Sequence, residues 1–207
     1  MRIAIFGATG TIGRHVVERA LAQGHEVTVL TRDANRVGTS HRKLHVIQGD
    51  VLDPAAVEQA VSGQDAALIS LGNGRKGVVR AEGTRTVIEA MQRNGVKRLI
   101  CQSTLGVGDS RPNLNFLWKY ILFGIVLRPA YNDHAQQEKY VRASDLDWTI
   151  VRPSAFTDGP ATGTYRQGFS ATESGLTLKI SRADIADFML EQLTDRTYLR
   201  RAASISN

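Results

Sequence analysis

Residues 2–6 read R-I-A-I-F and run without a break into G-A-T-G-T-I-G at residues 7–13. A short apolar run of this kind fits a strand buried on both faces of a parallel sheet. Gly7, Gly10 and Gly13 then have three separate uses: a tight bend, close backbone approach to a ligand, and close packing of the next helix on the strand. That helix presents free N–H groups and the positive end of its dipole to an anion. The arrangement predicts the pyrophosphate of a dinucleotide, with Thr9, Thr11 and Ile12 completing the turn around it. A glycine triplet alone is weak evidence. The apolar strand before it and the amphipathic pattern after it give it weight.

The rest of the chain alternates between strand and helix patterns. Residues 11–23 carry Ile12, Val16 and Ala20 on one helical face, and Gly24 ends the helix. Further strands are expected at 26–31, 44–47, 66–70, 98–102, 148–151 and near 202–205. Asp53 as N-cap and Pro54 at the first helical position open a helix to about residue 61. Others are expected at about 78–93, 133–143 and 182–193, the last opened by Ser181 and Asp184 at capping-box spacing. The segment 113–128 is rich in large apolar residues, and a buried helix, a pocket wall and a membrane-contacting flap are all open to it. Core packing is the default, because soluble monomers limit exposed apolar patches. The alternation implies right-handed crossovers and a doubly wound parallel α/β sheet of strand order 3-2-1-4-5-6. The 207 residues fit one nucleotide-binding domain, with about 105–207 contributing a substrate pocket.

Several function classes drop out. The formal charge is +6, but the arginines are scattered and not interleaved with aromatics, so nucleic acid is not an expected partner. A positive field around a site for an anionic cofactor accounts for the excess equally well. The single Cys101 lies in an apolar stretch and is expected to be a reduced, buried thiol. The five histidines have no metal-ligand spacing, and no G-x-S-x-G elbow exists. His134, on a polar helix pattern, is expected to be solvated. No secretory signal pattern precedes the first strand and no apolar run is long enough to span a bilayer, so the cytoplasm is the expected compartment, and the mixed polar faces of the longest helices lead to the expectation of a monomer.

Ligands of open α/β sheets bind beyond the carboxyl ends of the strands. Arg32 follows the second strand, where a carboxylate would select a ribose 2′-hydroxyl, and Arg36 lies one turn later. Guanidinium groups there favour a 2′-phosphate, hence NADP (NADPH). Asp33 is the counter-candidate and is expected to cap its own turn instead. The same rule selects Asp50 and Val51, either for the adenine or as a local turn, and Leu71, Gly72 and Asn73 nearer the nicotinamide. It also selects Pro153 and Ser154 after the sixth strand. Ser103 and Thr104 place hydroxyls at the reacting end and are the catalytic candidates, with satisfaction of local backbone groups as the other reading. Phe116, Trp118, Phe123, Phe156 and Tyr165 are expected to wall the substrate pocket.

Taken together, these residues resemble the atypical short-chain dehydrogenase/reductase family, with its NAD(P)-binding Rossmann fold. The resemblance is strongest to its NmrA-like and biliverdin reductase B-like (flavin reductase) members. It spans essentially the whole chain. It rests on G-A-T-G-T-I-G at 7–13, V-T-V-L-T-R-D at 27–33, D-H-A-Q-Q-E at 133–138, D-W-T-I-V-R-P at 147–153, T-D-G-P-A-T-G-T-Y at 157–165 and I-S-R-A-D-I-A at 180–186. The resemblance implies an oxidoreductase passing hydride from NADPH to a dissociable flavin, with quinones and linear tetrapyrroles as further acceptors. Thr104 falls where flavin reductase-type members carry an active-site serine, and Ser103 where they carry threonine. Ala155 falls where they carry a histidine, which weakens the case for tetrapyrroles. The Tyr-x-x-x-Lys pair of the classical family is absent. The alternative is a non-catalytic NmrA-like sensor of NADP state. An epimerase with bound NAD is disfavoured by Arg32 and the missing tyrosine.

Overall fold

The computed structural model describes residues 1–74, 76–114, 116–171 and 173–207. Its frame is β1 (Arg2–Phe6), α1 (Gly13–Ala22), β2 (Glu26–Thr31), β3 (Leu44–Gln48), α2 (Pro54–Val61), β4 (Ala66–Ile69), α3 (Val79–Arg93) and β5 (Arg98–Gln102). After a 3-10 turn (Gly108–Asn113) and a π-helical segment (Leu117–Val126) come α4 (Arg128–Ala143), β6 (Asp147–Pro153) and β7 (Ala155–Thr157). The chain continues with β8 (Arg166–Gln167), β9 (Lys179–Ser181), α5 (Arg182–Glu191) and β10 (Arg201–Ser206). The main sheet has the order β3-β2-β1-β4-β5-β6-β10-β8 and is parallel except for β8. This is a Rossmann-type doubly wound sheet in the expected order, extended beyond β6.

Alternation along β1 divides the core. Ile3 and Ile5 face α1 and α5 and pack with Val16, Val17, Phe188 and Met189. Ala4 and Phe6 face the opposite layer, with Val57 of α2, Val87 and Met91 of α3 and Val141 of α4. Cys101 is buried in this second layer, and burial pushes its thiol pKa up, so it is an inert packing group.

Local signals act as expected where a side chain closes them. Asp53 Oδ1 accepts from Ala55 N at 3.0 Å, and Ser181 Oγ accepts from Asp184 N at 2.9 Å. The Asp184 carboxylate does not turn back on its own helix start alone. It also accepts from the amides of Thr162 and Gly163, fixing the 157–165 loop against α5.

Three segments depart from expectation. Helix α4 begins at Arg128, five residues early, because Pro129 sits in its first turn and pre-sets the backbone. One buried helix does not cover 113–128: the 3-10 turn ends at Asn113 and the π-helix runs over Leu117–Val126, with Leu127 N donating to Leu122 O at 2.6 Å. The short strands β7, β8 and β9 are below the length at which periodicity signals a strand.

Candidate functional site

The turn after β1 is built around two close approaches. A Cβ on Gly7, whose φ is +90°, would lie 2.2 Å from Ser70 O, and one on Gly13 would lie 2.1 Å from Gly7 O. Gly13 is therefore the helix-packing glycine and does not border the cleft. Gly10 N donates to Gly7 O at 2.9 Å and closes the bend. Helix α1 starts there with no side-chain cap and no acidic residue in its first turn. Gly10 N and Arg14 N are taken inside the turn, by Gly7 O and Gly10 O, and the amides between them are left for an external anion.

A cleft of about 470 Å³ opens over this turn. Gly7, Thr9, Gly10, Thr11 and Ile12 border it, together with Arg32 and Arg36 beyond β2, Asp50 and Val51 beyond β3, and Leu71 and Gly72 beyond β4. Asp33 also borders the cleft, but its Oδ1 accepts from Asn35 N at 3.0 Å, so it caps its own turn. Asp50 Oδ1 accepts from Leu52 N at 2.9 Å, so the turn role and the cleft position coexist. Gly83 was not singled out from the sequence. A Cβ there would meet Val51 Cγ1 at 2.8 Å and Leu71 Cδ1 at 2.9 Å, so this glycine lets α3 pass close beneath the floor. An isolated glycine inside a helix pattern was the available signal. Asn73 does not border the cleft.

A second cavity, of about 360 Å³ and mostly apolar, adjoins the first. Thr104 and Leu105 reach it from beyond β5, and Pro153, Ser154, Ala155 and Phe156 from beyond β6. Trp118, Phe123 and Leu127 form one wall, Tyr131 and His134 of α4 another, and Arg182 of α5 a third. Arg80, His134 and Phe156 border both spaces, so the cleft and the cavity adjoin at these three residues.

Several expected positions move. Pro153 and Ser154 border the apolar cavity and not the cofactor cleft, because β6 is longer than its apolar core and carries them past the cleft. Phe116 is 72% exposed and points away from the cavity, since the π-helical turn puts it on the outer face. Tyr165 packs edge-on against Phe188 at 6.1 Å between ring centres, in the core layer under α5. Ser103 is fully buried and borders neither space; its Oγ has no hydrogen-bond partner among the described residues. Among the described residues Thr104 Oγ1 makes one long contact, 3.4 Å, with Leu105 O, and Ser154 Oγ is buried without a partner.

His134 is half-buried at the junction of the two spaces and not on the open surface. Burial, aided by the nearby Arg80 cation, pulls its pKa down to about 4, so the imidazole is neutral at pH 7. Its Nδ1 lies 3.1 Å from Gln137 Oε1. Its neighbour Asp133 accepts from the backbone amides of Arg80 and Ala81 at 3.1 and 3.0 Å, and so caps α3 from a different helix. The polarity of residues 132–139 hid this, because Arg80 and Ala81, the partners of Asp133, are remote in sequence. Arg152, at the end of β6, is likewise buried and held by Glu138 at 2.8 and 2.7 Å and by Asp109 at 2.6 Å. It ties β6 to α4 and to the 3-10 turn.

The model of the NAD(P)H-binding family matches residues 7–196. The chain belongs to this family. It is 31% identical over 189 residues to the 3-diazoavenalumate denitrifying reductase of a Streptomyces species, covering 83% of this chain and 61% of that protein. It is 28% identical over 176 residues to a chloroplastic protein of Arabidopsis thaliana, covering 78% of this chain and 61% of that protein. The chain thus spans 61% of the length of each of these two relatives. Among solved structures it is similar to ChuY, an anaerobillin reductase from Escherichia coli O157:H7. The TM-score is 0.84 and the identity 26%, over 99% of this chain and 96% of that one. The fold, the family and these reductases agree with an atypical short-chain dehydrogenase/reductase of the NmrA-like kind. Among the described residues no helix is long and apolar enough to cross a membrane, and no group of side chains fits a metal ion.

Proposed function

We propose that this member of the NAD(P)H-binding family is an NADPH-dependent reductase of a flavin or a similar planar conjugated acceptor. The observation that carries the reading is that the two spaces adjoin and share Arg80, His134 and Phe156 as lining. A cleft suited to a dinucleotide lies directly beside an apolar cavity of small-molecule size. The cleft fits its cofactor on three counts: the crowded Gly7 and Gly13, the uncapped start of α1, and the two arginines beyond β2.

The bound nicotinamide supplies the hydride. In this reading Thr9, Gly10, Thr11 and Ile12 hold the pyrophosphate, and Arg32 and Arg36 the 2′-phosphate. Val51 and Leu71 pack on the adenine side, and Gly72 leaves room for the ribose. Phe156, Trp118 and Phe123 keep water from the face of the acceptor. The unpartnered hydroxyl of Ser154 and the loosely held hydroxyl of Thr104 orient the carboxamide or the acceptor ring. Negative charge that develops on the acceptor is met by the Arg80 guanidinium, and the final proton comes from water. His134, neutral at pH 7, donates or accepts one hydrogen bond at the junction and does not serve as a cationic acid.

The test is NADPH oxidation measured at 340 nm against FMN, riboflavin, soluble quinones and biliverdin. Turnover with flavin or quinone supports the reading. Binding of NADP without turnover of any acceptor would leave the family assignment intact and favour a sensor of cofactor state.

A further inference from the structure

We propose that the outer face of the π-helical segment is a docking surface for an anionic lipid bilayer. The hydrogen bonding of this segment brings residues four to five apart onto one face. On the outer face lie Phe116, Leu117, Tyr120, Ile121, Ile125 and Val126, and Ile125 is 74% exposed. Phe116 and Tyr120 stack on each other there at 4.9 Å. The inner face carries Trp118 and Phe123, 5.8 Å apart, against the cavity. The segment is therefore apolar on both sides, although only the inner one is covered. A contiguous exposed patch of this kind marks an interaction site on a soluble protein.

Charge decides the occupant. Between Asp109 and Asp133 the sequence has no acidic residue and three basic ones, Arg111, Lys119 and Arg128. Arg111 and Arg128, just beyond the two ends of the segment, are exposed. An apolar face with cationic flanks and a net charge of +6 matches the interface of an anionic leaflet. A second copy of this chain would bring these like charges together across the contact, which disfavours self-association. Docking this way sets the wall of the apolar cavity against the lipid and leaves the cofactor cleft in water. The inference does not depend on which acceptor is reduced.

The test is sedimentation of the full chain with phosphatidylcholine vesicles, with and without phosphatidylglycerol, at low and high salt. The expected result is binding to the anionic vesicles alone, weakened by salt. The double variant Leu117→Glu, Ile125→Glu should bind more than tenfold less well. It should keep the wild-type melting curve and the wild-type affinity for NADPH, since both side chains point away from the cleft and the cavity. Wild-type protein left in the supernatant with anionic vesicles would overturn the proposal, as would equal binding to neutral vesicles. A dimer seen by light scattering and abolished by the double variant would also overturn it, in favour of a second copy.

Discussion

The Asp133 carboxylate on α4 accepts from the backbone amide of Arg80 on α3 at 3.1 Å, and Arg80 Nη1 stands 3.4 Å from the same oxygen. Both side chains are buried, and Arg80 borders both the cleft and the cavity. One carboxylate thus caps a helix and fixes a cation where the two spaces meet.

Asp133→Ala should cost about 3–5 kcal/mol, because it leaves a buried cation without its carboxylate, held among the described residues by the Gly74 and Lys76 carbonyls alone. Urea unfolding checks this. A loss below about 1 kcal/mol would mean that water reaches Arg80 and takes over the pairing.

Arg32 and Arg36 should make NADPH bind more tightly than NADH by about 2–4 kcal/mol, the scale of one or two charge-assisted hydrogen bonds. Arg32→Asp should remove most of that preference while keeping NADH binding. Calorimetric titration with both cofactors measures it, and equal wild-type affinities would refute the assignment of the 2′-phosphate.

Thr104→Ala and Ser154→Ala should each slow turnover by a factor on the order of ten, the loss of one neutral hydrogen bond. Tyr165→Phe should be nearly silent, since its ring packs in the core. Steady-state rates with flavin decide. A thousandfold loss in any of the three would point to a dedicated proton donor.

His134 should titrate near pH 4 in the folded protein, against 6.5 for the free group. As pH falls below about 6.5 the unfolded chain takes up the proton first, so stability should decline between about 6.5 and about 4. His134→Gln should flatten that decline. An NMR titration of the imidazole near its ordinary value would contradict the burial argument.

Gly13→Ala should cost several kcal/mol or block folding, because its Cβ would overlap Gly7 O at 2.1 Å. A soluble, NADPH-binding Gly13→Ala protein would show that α1 can slide away from the turn.

The frame of the fold was readable because its signals are local. β1, β2 and β5 are short apolar runs, and Asp53 and Ser181 announce their helices within three residues. The cleft was readable for the same reason, since the strand-end rule and the glycine turn place residues from short stretches. What escaped depends on partners far along the chain. His134 looks like a surface residue until the fold brings Arg80 beside it where the two spaces meet. Phe116 and Trp118 sit two apart in an aromatic run, and only an unusual helical winding decides which one faces inward. Tyr165 has the composition of a pocket wall, but Phe188 claims its ring.

The placement of β10 has a bearing on how the chain is made. It pairs with β6 across a separation of 52 residues, Arg201 with Thr149, while β5 already holds the other side of β6. The buried Arg98 guanidinium waits on the same region, because its Nε bonds to Gln192 O at 2.9 Å. During synthesis the nucleotide-binding half is complete long before either contact exists. Over that interval β6 presents a bare, parallel, apolar edge, the kind of surface on which nascent chains pair with one another. Slow translation beyond β6 therefore lengthens the window for misassembly, and the yield of native protein from a cell depends on how quickly β10 follows.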